Sequence, residues 1–405
     1  MKSTKSVMLV LSIVAVLAVS LVLSGCSLFE STTTTAASST STTQAATSTT
    51  GTTGTNGSPD TGAMMFRANV ERTGVYPSGG PAQAGGVTWK FQTEDTTDGI
   101  PWSCPAVYNG VVYFGAADGY IYAVDSASGQ QRWEYKTGKA VWSSPAISDG
   151  VLYVGSDDGQ LYALDLQTGA EKWKYKTGYG IVTSPVVSGG IVYAGSGDGY
   201  LYAVDALTGT EKWRTNAGHA VNSSPAASGS LVYVGGADKY LHALDAQTGR
   251  EIWKYLTGEV IWSSPAVADG VVYVGSYDNY VHAVDAQSGQ PKWRFKTEDG
   301  VVSSPAVSNG TVYVGSNDTF LYAIDAQSGQ QKWKFQTGGI VWCSPVVSDN
   351  LVYIASPDMY VYAVDSQTGQ EQWKVKLEGE VWASLATAGG TVYAGALDGF
   401  LYAVK

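Results

Sequence analysis

A tryptophan recurs every 40 residues along most of this 405-residue chain. A fixed period of this length is typical of stacked repeats and propellers, in which each repeat buries its apolar face against its neighbours. Function must then lie where the copies differ. The seven regular tryptophans and one that precedes them are Trp89, Trp133, Trp173, Trp213, Trp253, Trp293, Trp333 and Trp373.

Each repeat contains four short runs rich in Val, Tyr, Ile and Trp, as in residues 141–178, and each run ends at Gly, Asp, Asn or Ser. This pattern is typical of strands joined by tight turns. The 49 glycines and the recurring Ser-Pro pairs exclude helical repeats. Four antiparallel strands in about 40 residues form one blade of a β-propeller. The sequence therefore predicts an all-β fold.

The number of blades follows from the second strand of the repeat, which occurs eight times. The last repeat has only three strands and ends at residues 401–405, whereas residues 88–92 supply an unmatched outer strand at the other end. We predict an eight-bladed propeller over residues 87–405, closed by its N-terminal strand, with a lead-in segment at residues 61–86. Closure removes two exposed sheet edges, which would promote aggregation.

The junction of third and fourth strands carries a family resemblance. Residues 163–173 place Asp165 and Thr168-Gly169 ahead of Trp173, and this resembles the tryptophan-docking motif of quinoprotein-type (PQQ-like) propellers. The resemblance extends over about residues 64–405 and implies that the recurring tryptophans are structural and pack between blades. Burial of ~150–250 Å² per ring contributes roughly 4–6 kcal/mol before opposing terms.

A second regular column is formed by aspartates at the hairpin between second and third strands. One carboxylate per blade cannot supply the six to eight oxygens that Ca²⁺ requires, so we predict turn chemistry and no metal site. The column consists of Asp118, Asp158, Asp198, Asp238, Asp278, Asp318, Asp358 and Asp398.

The N-terminus predicts export. Residues 1–25 combine a basic start with an apolar core, which is typical of a signal peptide, and residues 23–26 resemble a bacterial lipobox. We therefore expect Cys26 to be the lipidated first residue of the mature chain, anchored by its acyl chains. The alternative is an uncleaved anchor helix. Residues 26–60 then form a Ser/Thr-rich tether.

The net charge, the cysteines and the histidines limit which ligands and reactions we expect. The formal net charge is −11 and the basic residues are dispersed, so nucleic acid is not an expected partner. Cys104 and Cys343 lie in repeats that are not adjacent, and two free thiols are expected. His242 and His282 occupy a tyrosine position of the repeat and are interpreted as substitutions within it.

The repeats differ most just before their Ser-Ser-Pro segments, where the first strand should line the central channel. We predict that the tryptophans at this position and the acidic loops beside them surround one mouth of the channel, as a ligand or partner site. The alternative is a plug that rigidifies the channel. The candidate residues are Trp102, Trp142, Trp262, Trp342, Trp382, His219, Glu259 and Glu298.

Two functions are compatible with the resemblance. One is a non-catalytic binding or scaffold lipoprotein outside the cytoplasm, monomeric and similar to BamB-like propellers, whose partner is another envelope protein, a peptide or a glycan. The other is a dehydrogenase that uses pyrroloquinoline quinone and calcium. The resemblance implies an adjacent Cys-Cys pair and inner-face carboxylates for such enzymes, and this sequence has neither. We therefore expect no catalytic residues, no quinone and no calcium.

Overall fold

The computed structural model describes residues 66–77, 79–94 and 99–405, which lie within one compact unit, Asp60–Lys405. The predicted signal peptide, Cys26 and the tether lie outside the described residues. The described part of the chain contains strands and turns without any helix, and so offers no helix able to cross a membrane.

The strands, numbered in chain order, form four classes by radial position. The innermost strands are β2 (Ala106–Tyr108), β6 (Ala146–Ser148), β10 (Val186–Ser188), β14 (Ala226–Ser228), β18 (Ala266–Ala268), β22 (Ala306–Ser308), β26 (Val346–Ser348) and β30 (Ala386–Ala388). The second strands are β3 (Val111–Gly115), β7 (Val151–Gly155), β11 (Ile191–Gly195), β15 (Leu231–Gly235), β19 (Val271–Ser276), β23 (Thr311–Gly315), β27 (Leu351–Ala355) and β31 (Thr391–Gly395).

The third and outer strands are longer. The third strands are β4 (Tyr120–Asp125), β8 (Gln160–Asp165), β12 (Tyr200–Asp205), β16 (Tyr240–Asp245), β20 (Tyr280–Asp285), β24 (Phe320–Asp325), β28 (Tyr360–Asp365) and β32 (Phe400–Val404). The outer strands are β5 (Gln131–Lys136), β9 (Glu171–Lys176), β13 (Glu211–Asn216), β17 (Glu251–Leu256), β21 (Pro291–Lys296), β25 (Gln331–Gln336), β29 (Glu371–Lys376) and, from the start of the chain, β1 (Val87–Gln92).

These strands form eight four-stranded antiparallel sheets, which we call blades 1 to 8 beginning with β2–β5. Blade 8 consists of β30, β31, β32 and β1, with Trp89 opposite Ala403. Innermost strands of neighbouring blades touch around the axis, and β2 touches β30. The predicted eight-bladed propeller and its closure by the N-terminal strand are confirmed.

The strand sequences match their positions in the ring. Second and third strands are buried on both faces because each blade is covered by two neighbours, and they are almost continuously apolar. Outer strands alternate instead: in β9 the side chains of Trp173 and Tyr175 are partly buried, whereas the Glu and Lys positions are exposed.

The recurring tryptophans join each blade to the next. The indole of Trp253 packs on Gly289 of the following blade, and its Nε1 donates to the carbonyl of Ala286 at 3.0 Å. The same carbonyl accepts a hydrogen bond from the Tyr233 hydroxyl at 3.1 Å. Seven glycines carry an indole in this way, namely Gly129, Gly169, Gly209, Gly249, Gly289, Gly329 and Gly369.

The joint between blades 7 and 8 departs from the motif, since Lys405 stands where the motif has Asp. The lead-in segment supplies the acceptor at this joint: the carbonyl of Pro81 accepts hydrogen bonds from Trp373 Nε1 at 3.0 Å and from the Tyr353 hydroxyl at 3.3 Å. The lead-in is therefore part of the ring and completes the joint between blades 7 and 8, the one joint that the seven glycines do not form.

The Ser-Ser pairs are explained by two sets of hydrogen bonds. The first serine ties its strand to the second strand of the same blade, as Ser143 Oγ accepts from Gly155 N at 3.1 Å. The second accepts from the preceding blade, as Ser184 Oγ accepts from Ser144 N at 3.0 Å. Only Cys104 interrupts this column of second serines among the described residues, and its thiol donates to the carbonyl of Leu385.

The aspartates of the hairpin column act in turns, as predicted, and the aspartate of each docking motif also shapes a turn. Asp165 Oδ1 accepts from the backbone N–H and hydroxyl of Thr168, and Gly169 has φ +72°. In the other column Asp158 accepts from the Tyr162 hydroxyl at 2.6 Å. His242 takes the tyrosine role in blade 4, with Nε2 3.0 Å from Asp238 and Nδ1 2.8 Å from Glu251.

Candidate binding mouth

One end of the channel is formed by the loops that lead from an outer strand into the next innermost strand. Each loop ends at the residue before Ser-Ser-Pro, so repeat geometry brings these residues to the same end of all eight blades. Four of the five predicted mouth tryptophans are partly exposed, and Trp382 is buried. The other three blades present Val182, Asn222 and Val302 at this position.

The tryptophans form pairs rather than an even ring. The ring centroids of Trp102 and Trp142 lie 5.0 Å apart, and those of Trp342 and Trp382 lie 4.9 Å apart in an edge-to-face arrangement. Trp262 packs edge-to-face on Tyr277, with the centroids 5.1 Å apart. Such close pairing is the arrangement that quadrupolar aromatic rings prefer.

Tyr277 and Asn317 belong to the mouth but were missed by the sequence argument. Trp342 Nε1 donates to Asn317 Oδ1 at 2.5 Å, and Tyr277 lies against Gly300 beside the same asparagine. Both residues follow the Gly-Ser that ends a second strand, a position that is Ala, Asp, Gly, Pro or Leu in the other blades. The variation of this position among the repeats was the signal in the sequence that could have identified Tyr277 and Asn317 as mouth residues.

The predicted charged residues lie at the exposed rim. His219, Glu259 and Glu298 are all exposed, and Glu259 pairs with Lys239 at 3.0 Å. Burial and then the nearby carboxylate of Asp299 raise the pKa of Tyr277 to about 12. The carboxylate of Asp299 therefore lies close enough to Tyr277 to act on its hydroxyl.

The indole N–H groups of the mouth differ in their use. Trp382 Nε1 donates to Glu380 at 3.0 Å, and Trp342 Nε1 is bound to Asn317. No described residue accepts a hydrogen bond from Trp102, Trp142 or Trp262 Nε1. Three partly exposed indoles, whose N–H groups have no acceptor in the part of the chain that the structure describes, remain for a ligand, while the buried Trp382 packs as part of the wall.

The lead-in segment crosses the opposite end of the channel. Its carbonyls accept hydrogen bonds from the innermost strands of four successive blades, through the N–H groups of Ala227, Val267, Val307 and Val347. This role was not predicted, because a non-periodic segment carries no register that indicates where it packs.

Two arginines of the lead-in occupy the axis. Arg72 donates to the carbonyls of Ser184 and Pro225, and Arg67 donates to the carbonyl of Ser304. Burial lowers the pKa of Arg67 to about 10; burial and then its neighbour Arg67 lower the pKa of Arg72 to about 9. Carbonyl dipoles thus hold two cations without a carboxylate partner among the described residues.

The thiols lie beside these cations. Cys104 and Cys343 are both buried and free. Burial raises the pKa of Cys104 to about 12 and that of Cys343 to about 11, so both remain protonated and unreactive. Elsewhere in residues 66–405, as far as these are described, no group of three His, Cys, Asp or Glu side chains is arranged to hold a metal ion.

The sequence profile of the family described as outer membrane protein assembly factor BamB matches residues 81–141, 117–259, 256–341 and 336–405. The chain belongs to this family. The BamB family match thus spans every blade of the propeller. No curated protein matches the sequence significantly.

Solved structures similar to this BamB family member share its propeller. BamB from Moraxella catarrhalis is 21% identical with a TM-score of 0.67, over 79% of this chain and 97% of that one. The computationally designed protein Ika8 is 22% identical with a TM-score of 0.70, over 79% and 99%. Quinohemoprotein alcohol dehydrogenase ADHIIG from Pseudomonas putida HK5 is 18% identical with a TM-score of 0.72, over 84% and 80%. At these identities the likeness shows the fold alone.

Proposed function

We propose that this chain is a non-catalytic binding or scaffold protein of the cell envelope, anchored through acyl chains on Cys26 and acting as a monomer. The observation that carries the proposal is the mouth: three partly exposed indoles with free N–H donors, beside acidic side chains, above a channel blocked by its own lead-in. The description of the family as an outer membrane protein assembly factor supports a protein partner in the envelope.

The chemistry of the channel supports the absence of a quinone and calcium. Cys104 and Cys343 lie in different blades and cannot form the adjacent pair that the quinoprotein resemblance implies. The serine hydroxyls of the wall are engaged in hydrogen bonds within and between blades, and the buried charges at the axis, Arg67 and Arg72, are positive. Such surroundings oppose a divalent cation.

The mouth favours a cationic or neutral partner group. Aromatic faces attract cations by roughly 0.5–2 kcal/mol per contact, and Asp299 and Glu298 add attraction at the rim. A lysine side chain that enters between Trp262 and Trp342 would meet both features. Glutamate side chains would be repelled.

The mouth is tested by titrating the protein with acetyl-Gly-Lys-Gly-Lys-Gly-amide and following tryptophan fluorescence. Loss of two contacts in Trp262→Ala/Trp342→Ala should weaken binding at least fivefold, by ~1 kcal/mol or more. The glutamate analogue of the peptide is the control ligand. Equal responses to both peptides, or binding that persists in the variant, would contradict the proposed site.

The stability of the double variant shows whether the mouth tryptophans form a binding site or a plug that rigidifies the channel. Trp253→Ala, which removes a docking tryptophan, should cost ~3–5 kcal/mol of unfolding free energy. The mouth variant should cost less. If it destabilises the protein as much as Trp253→Ala, the mouth tryptophans are a plug.

Two measurements test the remaining parts of the proposal. Incubation with pyrroloquinoline quinone and Ca²⁺ should give no dye reduction with alcohols or sugars; activity at one quinone per chain would refute the non-catalytic assignment. Intact mass of the membrane-extracted protein should show a chain that begins at acylated Cys26. An unacylated chain that retains residue 1 would refute the anchor.

A further inference from the structure

The mouth has two sides that differ in chemistry. On the side of blades 5 to 7 the polar groups bond to one another, as Trp342 Nε1 donates to Asn317 Oδ1. On the other side Trp102 and Trp142 belong to adjacent blades, with their ring centroids 5.0 Å apart and their planes at 54°. We call this second side, formed by Trp102, Trp142 and Asp157, the indole subsite.

The indole N–H groups of this subsite reach solvent. Neither Trp102 nor Trp142 finds an acceptor for Nε1 among the described residues, and in that part of the chain no buried side-chain nitrogen or oxygen lacks a hydrogen bond. Because both residues are only partly buried, the two Nε1 atoms must lie at the surface of the mouth. Blade 3 presents Val182 at the equivalent position, so Trp142 has an indole neighbour on one side only. Two donors are therefore available to a ligand.

Asp157 places a carboxylate at the same point of the mouth. Its position in blade 2 corresponds to that of Tyr277 in blade 5, whose ring contacts the mouth tryptophan of its own blade. Asp157 N donates to Ala140 O, two residues before Trp142, at 2.9 Å. A Cβ at Gly180, in the loop that enters blade 3, would collide with Asp157 Oδ1. The carboxylate therefore lies between two entry loops of the mouth.

The carboxylate of Asp157 is little used by the fold. Its side chain is 36% exposed, and within the described residues it accepts no hydrogen bond and has one ion-pair partner, Lys139, whose Nζ lies 4.0 Å from Oδ2. Because Lys139 balances its charge, the subsite offers hydrogen-bond acceptors without a net negative charge. A cationic ligand gains less here than beside Asp299 on the other side of the mouth.

Tyr179 continues the aromatic surface beyond Asp157. It directly precedes Gly180, is 58% exposed, and lies on Gly197, where a Cβ would stand 2.7 Å from Cδ1 of the tyrosine ring. Aromatic side chains thus lie on both sides of the carboxylate, as the binding of more than one sugar unit would require.

Solvent-exposed donors, a spare acceptor and aromatic rings together match the chemistry of a sugar. A sugar hydroxyl both donates and accepts hydrogen bonds, so it can use an indole N–H and a carboxylate at once. The C–H face of a pyranose ring is apolar and packs on an aromatic side chain. A lysine side chain would use the carboxylate but leave both indole N–H groups without an acceptor. A neutral saccharide uses all three kinds of group.

We propose that the indole subsite binds a neutral saccharide. The N–H groups of Trp102 and Trp142 donate to its hydroxyl oxygens, the carboxylate of Asp157 accepts from its hydroxyl groups, and the apolar face of a sugar ring packs on the indoles. The inference deepens the proposed function and rests on it in one respect, that the mouth is an open site and not a plug. It does not depend on the lysine contact at Trp262 and Trp342.

The proposal is tested by titrating the full chain with cellotetraose, a chain of four neutral glucose units, and following tryptophan fluorescence. The saccharide should give a saturable change, whereas acetyl-Gly-Ser-Gly-Ser-Gly-amide, which brings hydroxyl and amide groups without a sugar ring, should give none. Cellotetraose should bind equally well in the presence of saturating lysine peptide, because the two ligands contact different blades. Equal responses to the saccharide and the serine peptide, or competition between saccharide and lysine peptide, would overturn the proposal.

Protein variants locate the saccharide. Asp157→Ala should weaken binding of cellotetraose at least about fivefold, whereas Pro357→Ala, at the same position of blade 7, should leave it unchanged. The carboxylate of Asp157 makes no hydrogen bond within the described fold, so this variant should melt at the wild-type temperature. Trp102→Ala should weaken binding by a similar factor. Binding that survives both Asp157→Ala and Trp102→Ala would overturn the proposal.

The two ligands also separate this inference from the proposed function. If the wild type binds the lysine peptide but not cellotetraose, the saccharide subsite is wrong and the proposed function stands. If it binds neither ligand, the mouth is not a binding site and both proposals fail.

Discussion

Replacing Gly289 by alanine should destabilise the protein far more than the same replacement at Gly270. Both glycines have nearly the same left-handed backbone, with φ +71° and +73°. An L-residue in that conformation costs roughly 1–2 kcal/mol at either site. Gly270 has open space around a new Cβ, whereas at Gly289 the Cβ would stand 2.7 Å from Cδ2 of Trp253. Only Gly289→Ala must displace a docking indole.

The extra cost follows from what Trp253 loses. Its hydrogen bond to Ala286 O is worth about 1 kcal/mol. Exposure of about half of a ring that buries ~150–250 Å² costs roughly 2–3 kcal/mol at ~25 cal/mol/Å². The carbonyl keeps its bond from Tyr233, so no buried acceptor is orphaned. We expect Gly289→Ala to be about 3–4 kcal/mol less stable than Gly270→Ala.

Urea unfolding followed by far-ultraviolet circular dichroism measures this difference, since a change of midpoint at constant slope reports stability. Gly289→Ala combined with Trp253→Ala should cost less than the sum of the two single changes, because the clash disappears with the indole. Equal losses in Gly270→Ala and Gly289→Ala would refute the docking argument.

Three further predictions concern closure, pH and thiols. Deletion of residues 84–93 removes β1 and should abolish cooperative unfolding, whereas deletion of the predicted tether, residues 31–60, should leave the melting temperature unchanged; a stable monomer without β1 would refute closure. Burial opposes the charged form of His242, but its carboxylate partners outweigh burial and raise its pKa. The charged His242 therefore adds its full share to the free energy of unfolding below its unfolded pKa of about 6.5, and this share is lost as the pH rises through its folded pKa. Between pH 6 and pH 9 the wild type should accordingly lose stability relative to His242→Tyr. Parallel curves of stability against pH for the two proteins would contradict this. Cys104 and Cys343 should not react with a thiol reagent at pH 8 until the protein unfolds, and rapid labelling of the native chain would show that they are accessible.

The blade architecture was predictable because it is encoded eight times. The period of the tryptophans, the Asp and Thr-Gly turns and the unmatched strand that holds Trp89 together determine blade number and closure. The mouth was predictable in part: repeat register brings its tryptophans to one end, but their pairing and the participation of Tyr277 and Asn317 depend on side-chain packing that a repeat pattern does not encode.

The lead-in was not predictable in its path. Arg67 and Arg72 have the composition of surface residues, and only the structure places them at the axis among carbonyl groups. One signal was present: Lys405 stands in place of the motif aspartate, so the joint that receives Trp373 departs from the motif. In the structure Pro81 accepts the hydrogen bond from Trp373 at this joint.

The pairing of β1 with β32 also sets the order in which the molecule can be completed. The first strand to leave the ribosome finds its partner only after the last residues of the chain have been made, so it must wait unpaired through the synthesis of seven other blades. Its exposed positions include the polar Thr88 and Gln92 and the charged Lys90, which oppose association with other strand edges during that time. Blades 1 to 7 are local in sequence and can form as they emerge, whereas ring closure joins residues from the two ends of the propeller, and we expect it to be the slower and later event in folding.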